Sequence, residues 1–280
     1  MSRRSEALRA IALETLAIVD ARGYTLPNGR RVELGDAIAR SIAGTRVHSP
    51  GAAAARAPRR SSAALRVTDE STLAAVLRLG AVDGGPLAAL SFASATKPGG
   101  EFESGAEAQE ESLARSSALH ACLAAQPELY ARQRAHASAL YLDHVVFVPG
   151  VPFFRDEHGA LLETPAQAAV LSAAAPNAAV VRVHEPERTA EIAPVLARRA
   201  ELVLDVAVRE GVARLVLGAW GCGVFQNEPA VVARAFAALL GRGGRFEHAF
   251  DEVVFAVLDR STERRTLATF AAELAPPRGA

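Results

Sequence analysis

Apolar positions near the start of the chain recur at helical spacing. Over residues 6–20, Leu8, Ile11, Ala12, Thr15 and Val19 fall on one face and predict an amphipathic helix. Gly23 ends it, and Pro27-Asn28-Gly29 predicts a turn before a short strand over 31–34. Residues 49–64, SPGAAAARAPRRSSAA, carry no periodicity and read as a long surface loop and the best boundary in the chain. Beyond them short apolar runs alternate with helical stretches. Strands are expected at Leu87–Phe92, 145–148, 180–183, Arg214–Gly218 and 253–258. Helices are expected at 71–79, 108–125, 187–210, Pro229–Leu240 and 262–274, and residues 149–154 read as part of a long connection. Strands alternating with helices indicate an α/β layered fold with a mostly parallel sheet, whose ligand sites lie at the carboxyl ends of strands.

Composition narrows the function classes. Among 280 residues, 50% are hydrophobic and 22% charged, which excludes wholesale disorder. The 31 basic residues balance the 31 acidic ones, against a protein that coats nucleic acid or anionic membrane by bulk charge. Lys97 is the single lysine. Two cysteines, Cys122 and Cys222, exclude a disulfide scaffold and a four-cysteine zinc site. No run reaches the ~18 apolar residues of a membrane span. Arg3 and Arg4 are followed by Glu6, Arg9 and Glu14, so the start reads as a helix rather than a signal peptide, and a cytoplasmic protein is expected.

Two strand ends carry unusual residues. After Arg214–Gly218 comes AWGCGVFQNEP, a glycine-rich turn into a helix, with Asn227 expected as N-cap and Pro229 in the first turn. Such a turn either cradles a phosphate with its N–H groups, Phe225 being free to stack on a base or sugar, or simply connects a strand to a helix. Trp220 is expected in the core. After Leu87–Phe92 comes ASATKPGGEFESGAEAQEES, in which Gln109-Glu110-Glu111 open a helix. Acidic residues in a first turn stabilise it by ~0.3–1 kcal/mol through the backbone dipole. Alternatively they form an acid/base pair, because adjacent carboxylates, burial and a bound diphosphate each raise a carboxyl pKa. Spacing alone does not separate these readings.

The string FASATKPGG…GAEAQEESLARSSALHACL resembles the signature of microbial-type poly(ADP-ribose) glycohydrolases: a glycine triplet, a short spacer and Gln-Glu-Glu. ALETLAIVDARGYTLPNGRRVELG, LYLDHVVFVPGVPFFRDEHGALL and LVLGAWGCGVFQNEPAVVARAF extend the similarity over nearly the whole chain. The resemblance implies a three-layer α/β/α macrodomain with a mixed sheet over residues 65–280, preceded by an N-terminal helical extension and loop over 1–64. It implies that ADP-ribose and poly(ADP-ribose), free or carried on protein, are the partners, with no metal, no cofactor, no membrane contact and no direct nucleic-acid binding. Glu111 takes the catalytic role by this likeness, with Glu110 on the sugar hydroxyls. Gly99, Gly100, Glu101 and Gln109 fall in the first ligand loop, and Gly221, Cys222, Gly223, Val224 and Phe225 in the loop around the diphosphate. Glu101 stands where the family has its third glycine; a positive φ there would strain a glutamate by ~1–3 kcal/mol. Ser91 stands where the family often has asparagine.

The reaction implied is hydrolysis of the ribose–ribose O-glycosidic bond, from chain ends if the extension blocks one side of the cleft. An ADP-ribose-binding macrodomain without catalysis and a hydrolase of single ADP-ribose units are the alternatives, and the intact Gln-Glu-Glu favours catalysis. Cys222 lacks a neighbouring histidine and reads as a loop residue, not a nucleophile. Cys122, Phe153 and Phe154 read as core. The histidines show no ligand spacing. Lys97 reads equally as a phosphate contact or a solvated side chain, and Arg56, Arg59 and Arg60 as a solvated loop.

Overall fold

A computed structural model describes residues 2–51 and 64–275. Most of the expected loop over 49–64, with Arg56, Arg59 and Arg60, lies outside the described residues. The N-terminal part consists of α1 (Arg3–Asp20), a small hairpin of β1 (Gly23–Thr25) and β2 (Arg31–Glu33), and α2 (Gly35–Ala43). Then come β3 (Arg46–His48), β4 (Ala64–Thr68), α3 (Thr72–Gly80) and β5 (Leu87–Phe92). A 3-10 turn at Phe102–Ser104 precedes α4 (Gln109–Ser116), α5 (Leu119–Ala124) and α6 (Pro127–Ala135). The second half holds β6 (Val145–Arg155), β7 (Leu161–Ala173), α7 (Ala178–His184), α8 (Ile192–Arg209), β8 (Arg214–Gly218), α9 (Pro229–Leu240), β9 (Glu252–Ala256) and α10 (Arg265–Glu273).

Seven strands form one mixed sheet in the order β3-β6-β7-β5-β8-β9-β4. Pairing is antiparallel between β3, β6 and β7 and parallel from β7 through β5, β8 and β9 to β4. Side chains alternate between two cores with the strand period of two. Leu215, Leu217, Val253 and Phe255 face one core with α8, α9 and α10. Val216 and Val254 face the other, with α3, α4 and α5. Helices thus cover both faces, and Trp220, Cys122, Phe153 and Phe154 are fully buried, as the sequence predicted.

Three expectations need correction. Residues 180–183 are not a strand but the middle of α7. Asn177 caps that helix by accepting the Val180 N–H at 3.2 Å, only Ala178 and Val181 turn inward, and Val183 is exposed. Residues 149–154 are not a connection: they continue β6, because a bulge between Val148 and Val151 absorbs Pro149 and Gly150. The helix expected over 108–125 breaks at Ser117, which is extended and bridges Phe153. The strands β1, β3, β4 and β7 and the helices α2 and α6 were not anticipated, and β3 lies within the first 64 residues.

Helix α1 is tied to the rest by a buried polar link. Thr15 Oγ1 donates to Arg115 O at 2.6 Å and accepts from Arg155 Nε at 3.0 Å, and Glu14 pairs with Arg155 at 2.8 Å. Ala12 packs with Phe102 and Ala114. This anchoring matters below because α1 walls the site.

Candidate active site

The parallel pair β5 and β8 ends at Phe92 and Gly218, so the loops that follow leave the same edge of the sheet side by side. They line one cleft of about 1210 Å³. Of the residues singled out from sequence, Gly100, Glu101, Gln109, Glu110, Glu111, Gly221, Cys222, Gly223, Val224 and Phe225 all line it. Gly99 does not, lying beneath against His120, Phe102 and Ala114.

The first loop is held by carboxylates rather than left open to an anion. Glu110 accepts the Ser94 N–H at 2.6 Å with one oxygen and the Gly99 N–H at 3.1 Å with the other. Glu111 Oε1 accepts the Glu101 N–H at 3.0 Å. Gly99 and Gly100 have φ of 72° and 63°, which only glycine adopts without cost, and so bend the chain over the two acids. A side chain on Gly100 would lie 2.8 Å from Glu111 Cδ and 3.2 Å from Glu110 Oε2, so both carboxylates converge on the space this glycine leaves empty. Glu101 has φ −103° and ψ 33°, so the glutamate in place of the third glycine carries none of the left-handed strain. Its carboxylate is exposed and pairs with Lys97.

Gln109 lines the cleft, and its side-chain amide is also engaged within the chain. Its oxygen accepts the Phe92 N–H at 2.8 Å, while its nitrogen donates to Leu90 O at 2.8 Å and Thr72 Oγ1 at 3.0 Å. It therefore clamps the first turn of α4 to the end of β5 and so fixes where Glu110 and Glu111 stand.

Glu110 is 2% exposed, and burial pushes its carboxyl up to about 8; the Glu111 charge adds to the rise and the two N–H bonds oppose it. In the unfolded chain the group titrates at 4.5, so between that pH and 8 the folded state holds more protons than the unfolded one. Stability contributed by this group falls as pH rises through that window, by on the order of a few kcal/mol in total. His144, held down at about 4 by burial, works the opposite way, but most of its effect falls below pH 6.5. Between pH 6.5 and 8 the melting temperature is expected to fall in the native chain and to fall less in Glu110→Gln. Equal slopes in the two proteins would contradict the buried, raised carboxyl.

The second loop is where unused amides gather. Asn227 is not the N-cap; Glu228 takes that position, and Asn227 is buried. It donates from Nδ2 to Pro176 O at 2.9 Å and Gly221 O at 3.1 Å, and from its backbone to Gly221 O at 3.0 Å. The turn is thereby stapled from within. Among the described residues the N–H groups of Gly221, Gly223, Val224 and Phe225 make no bond to the chain, while these residues line the cleft. Unpaired amides on a glycine turn before a helix make an anion cradle. Phe225 stands 6.1 Å from Tyr141, ring to ring, and Val224 is 78% exposed. Burial pushes the Cys222 thiol up to about 12, the reverse of what a nucleophile needs.

Sequence reasoning missed the remaining walls. Arg4, Leu8 and Ile11 of α1, Asp156 to Gly159 from the β6–β7 turn, and Asp259 and Arg260 after β9 all line the cleft. An Arg4–Glu107 ion pair joins α1 to the approach to α4. No local signal marks these residues: the packing of α1, the β6–β7 turn and the pairing of β9 beside β8 bring them here. Among the described residues no group of three His, Cys, Asp or Glu is placed to hold a metal, and no helix is long and apolar enough to cross a membrane.

A layered α/β fold with paired acids under one loop and an amide cradle in the next is the architecture of a macrodomain hydrolase. The family model described as "Microbial-type PARG, catalytic domain" matches residues 12–156. The crystal structure of poly(ADP-ribose) glycohydrolase from Thermomonospora curvata is 45% identical, with 96% of this chain and 99% of that one covered and a TM-score of 0.91. The same enzyme bound to the inhibitor ADP-HPD is 45% identical over 95% of this chain and 99% of that one, with a TM-score of 0.88. The enzyme from Deinococcus radiodurans in complex with ADP-ribose is 40% identical, covering 90% of this chain and 98% of that one, at a TM-score of 0.78. No curated protein matches the chain. This chain belongs to the microbial-type poly(ADP-ribose) glycohydrolase family.

Proposed function

We propose that the chain hydrolyses poly(ADP-ribose) at the ribose–ribose O-glycosidic bond and releases ADP-ribose, with Glu111 as the general acid and base. Its relatives are poly(ADP-ribose) glycohydrolases, one of them in complex with ADP-ribose. The observation that carries the role of Glu111 is its position: a half-buried carboxylate lining the same cleft as four unpartnered amides, with Glu110 buried beside it.

Cleavage builds positive charge on the ribose ring and negative charge on the departing oxygen. The second loop grips the diphosphate and Phe225 flanks the attached nucleoside, which fixes the scissile ribose over Glu111. Glu111 gives its proton to the leaving ribose oxygen, then takes one from the attacking water. Glu110 and Gln109 hold the first loop and the start of α4 in place, and Glu110 reaches the sugar hydroxyls. No other group in this scheme needs to ionise.

The helical part before β3, carrying α1 and α2, acts as an extension of the core sheet, to which β3 itself belongs. With Arg4, Leu8 and Ile11 on one wall, the cleft favours a chain end over an internal unit, so the enzyme works from the ends. The two unpaired cysteines fit a reducing compartment, and we assign the protein to the cytoplasm. Labelled polymer incubated with the chain is expected to give ADP-ribose as the first product, with long chains shortening gradually. Early appearance of mid-length fragments would overturn end-wise action. Release from mono-modified protein with the polymer untouched would overturn the substrate.

A further inference from the structure

A second hollow, of about 520 Å³, adjoins the first loop. Arg9 of α1, Lys97, Glu101, Glu103 and His120 of α5 line it. Lys97, Gly100 and Glu101 line both this hollow and the main cleft, so the two meet along that short rim. Glu111 lies directly under the rim, bonded to the Glu101 N–H and facing the empty side of Gly100. A bond broken at Glu111 is therefore broken beside the second hollow.

We propose that this hollow is the leaving-side subsite, which takes the diphosphate of the polymer unit across the scissile bond on Arg9 and Lys97. The inference rests on the polymer-cleaving reading above and adds to it a second anion site. Arg9 is exposed and makes no ion pair among the described residues. Lys97 is 58% exposed and Glu101 54%, and an ion pair so open to water yields readily to a better-matched anion. A diphosphate takes Lys97 from Glu101, whose carboxylate turns to solvent. His120 packs at a tilt against Phe102, ring centres 4.8 Å apart, and burial holds its imidazole below the usual histidine range, so it serves as a neutral hydrogen-bonding wall. Glu103, beside His120, is exposed and leaves the two cations as the attractive part of the hollow. The glutamate at 101 acquires a use on this account: it holds the lone lysine at the rim while the subsite is empty.

The test uses the full chain with Arg9→Glu, Lys97→Gln and both together. Polymer KM is expected to rise by roughly tenfold in the double variant, with kcat and the ADP-ribose Kd held to within about twofold. Because Lys97 is the only lysine, its acylation by an amine reagent, read on the Lys97 peptide apart from the N-terminal amine, reports the rim. In Glu111→Gln protein, intact polymer is expected to protect Lys97, and ADP-ribose alone to leave it reactive. An unchanged KM, a parallel loss of ADP-ribose affinity, or equal protection by ADP-ribose would each overturn the subsite. Failure of the polymer-cleaving reading looks different: there the unaltered chain leaves polymer at full length.

Discussion

Glu111→Gln is expected to lower kcat on polymer by roughly 10²–10⁴, the usual worth of a positioned acid–base group. The substitution is close to a pure chemical test. Glutamine keeps the oxygen that accepts the Glu101 N–H at 3.0 Å, so the first loop has no reason to move. It keeps the volume, while the charge and the capacity to give and take a proton are lost. ADP-ribose binding, which rests on the second loop, is expected to change by no more than about twofold, so the loss falls on kcat rather than on affinity. Calorimetry with ADP-ribose and a single-turnover polymer assay on the same preparation separate the two. Near-normal turnover would remove Glu111 from its role; loss of ADP-ribose binding would mean that the side chain holds ligand instead.

The second large effect is expected at Gly100. Its φ of 63° costs an alanine roughly 1–2 kcal/mol, and the new methyl would press on Glu111 Cδ at 2.8 Å. The acid must give way, and a misplacement of ~1 Å at a reacting group costs on the order of 10² in rate. Gly99→Ala is the control. Its φ is 72°, so the backbone strain is similar and its N–H can still reach Glu110, but the added methyl would meet His120, Phe102 and Ala114 at 3.3–3.4 Å first. Both variants are expected to melt earlier, and Gly100→Ala to lose far more kcat. Equal kcat in the two would show that the glycines serve the turn alone and not the space above Glu111.

The contrast between these glycines shows what the sequence makes legible. The two strand ends, the paired acids and the glycine turn stand out because each is a local pattern, and the fold carries both loops to one edge of the sheet. Partners chosen in three dimensions leave no such trace. Asn227 has the chemistry of an N-cap, yet its amide turns inward to Pro176 and Gly221 because the loop closes on itself. Gln109 reads as a ligand residue, and nothing local shows that its amide also clamps α4 to β5. The valines of α7 read as a strand until Asn177 is recognised as a cap, and Pro149-Gly150 reads as an end until the bulge is seen. The cleft wall from α1 was invisible for the same reason: Thr15 reaches Arg115 and Arg155 across a hundred residues and more. Glu101 shows the reverse case, where a departure from the expected glycine looked costly and the backbone there proves ordinary.

The most direct test of the whole account is a crystal structure of this chain with ADP-ribose. The diphosphate is predicted to lie on the amides of Gly221, Gly223, Val224 and Phe225. The terminal ribose should then bring its anomeric carbon to the Glu111 carboxylate, with hydrogen-bond contacts of about 2.6–3.2 Å to the sugar oxygens. A nucleotide bound outside this cleft, or a Glu111 side chain turned away from the sugar, would contradict it.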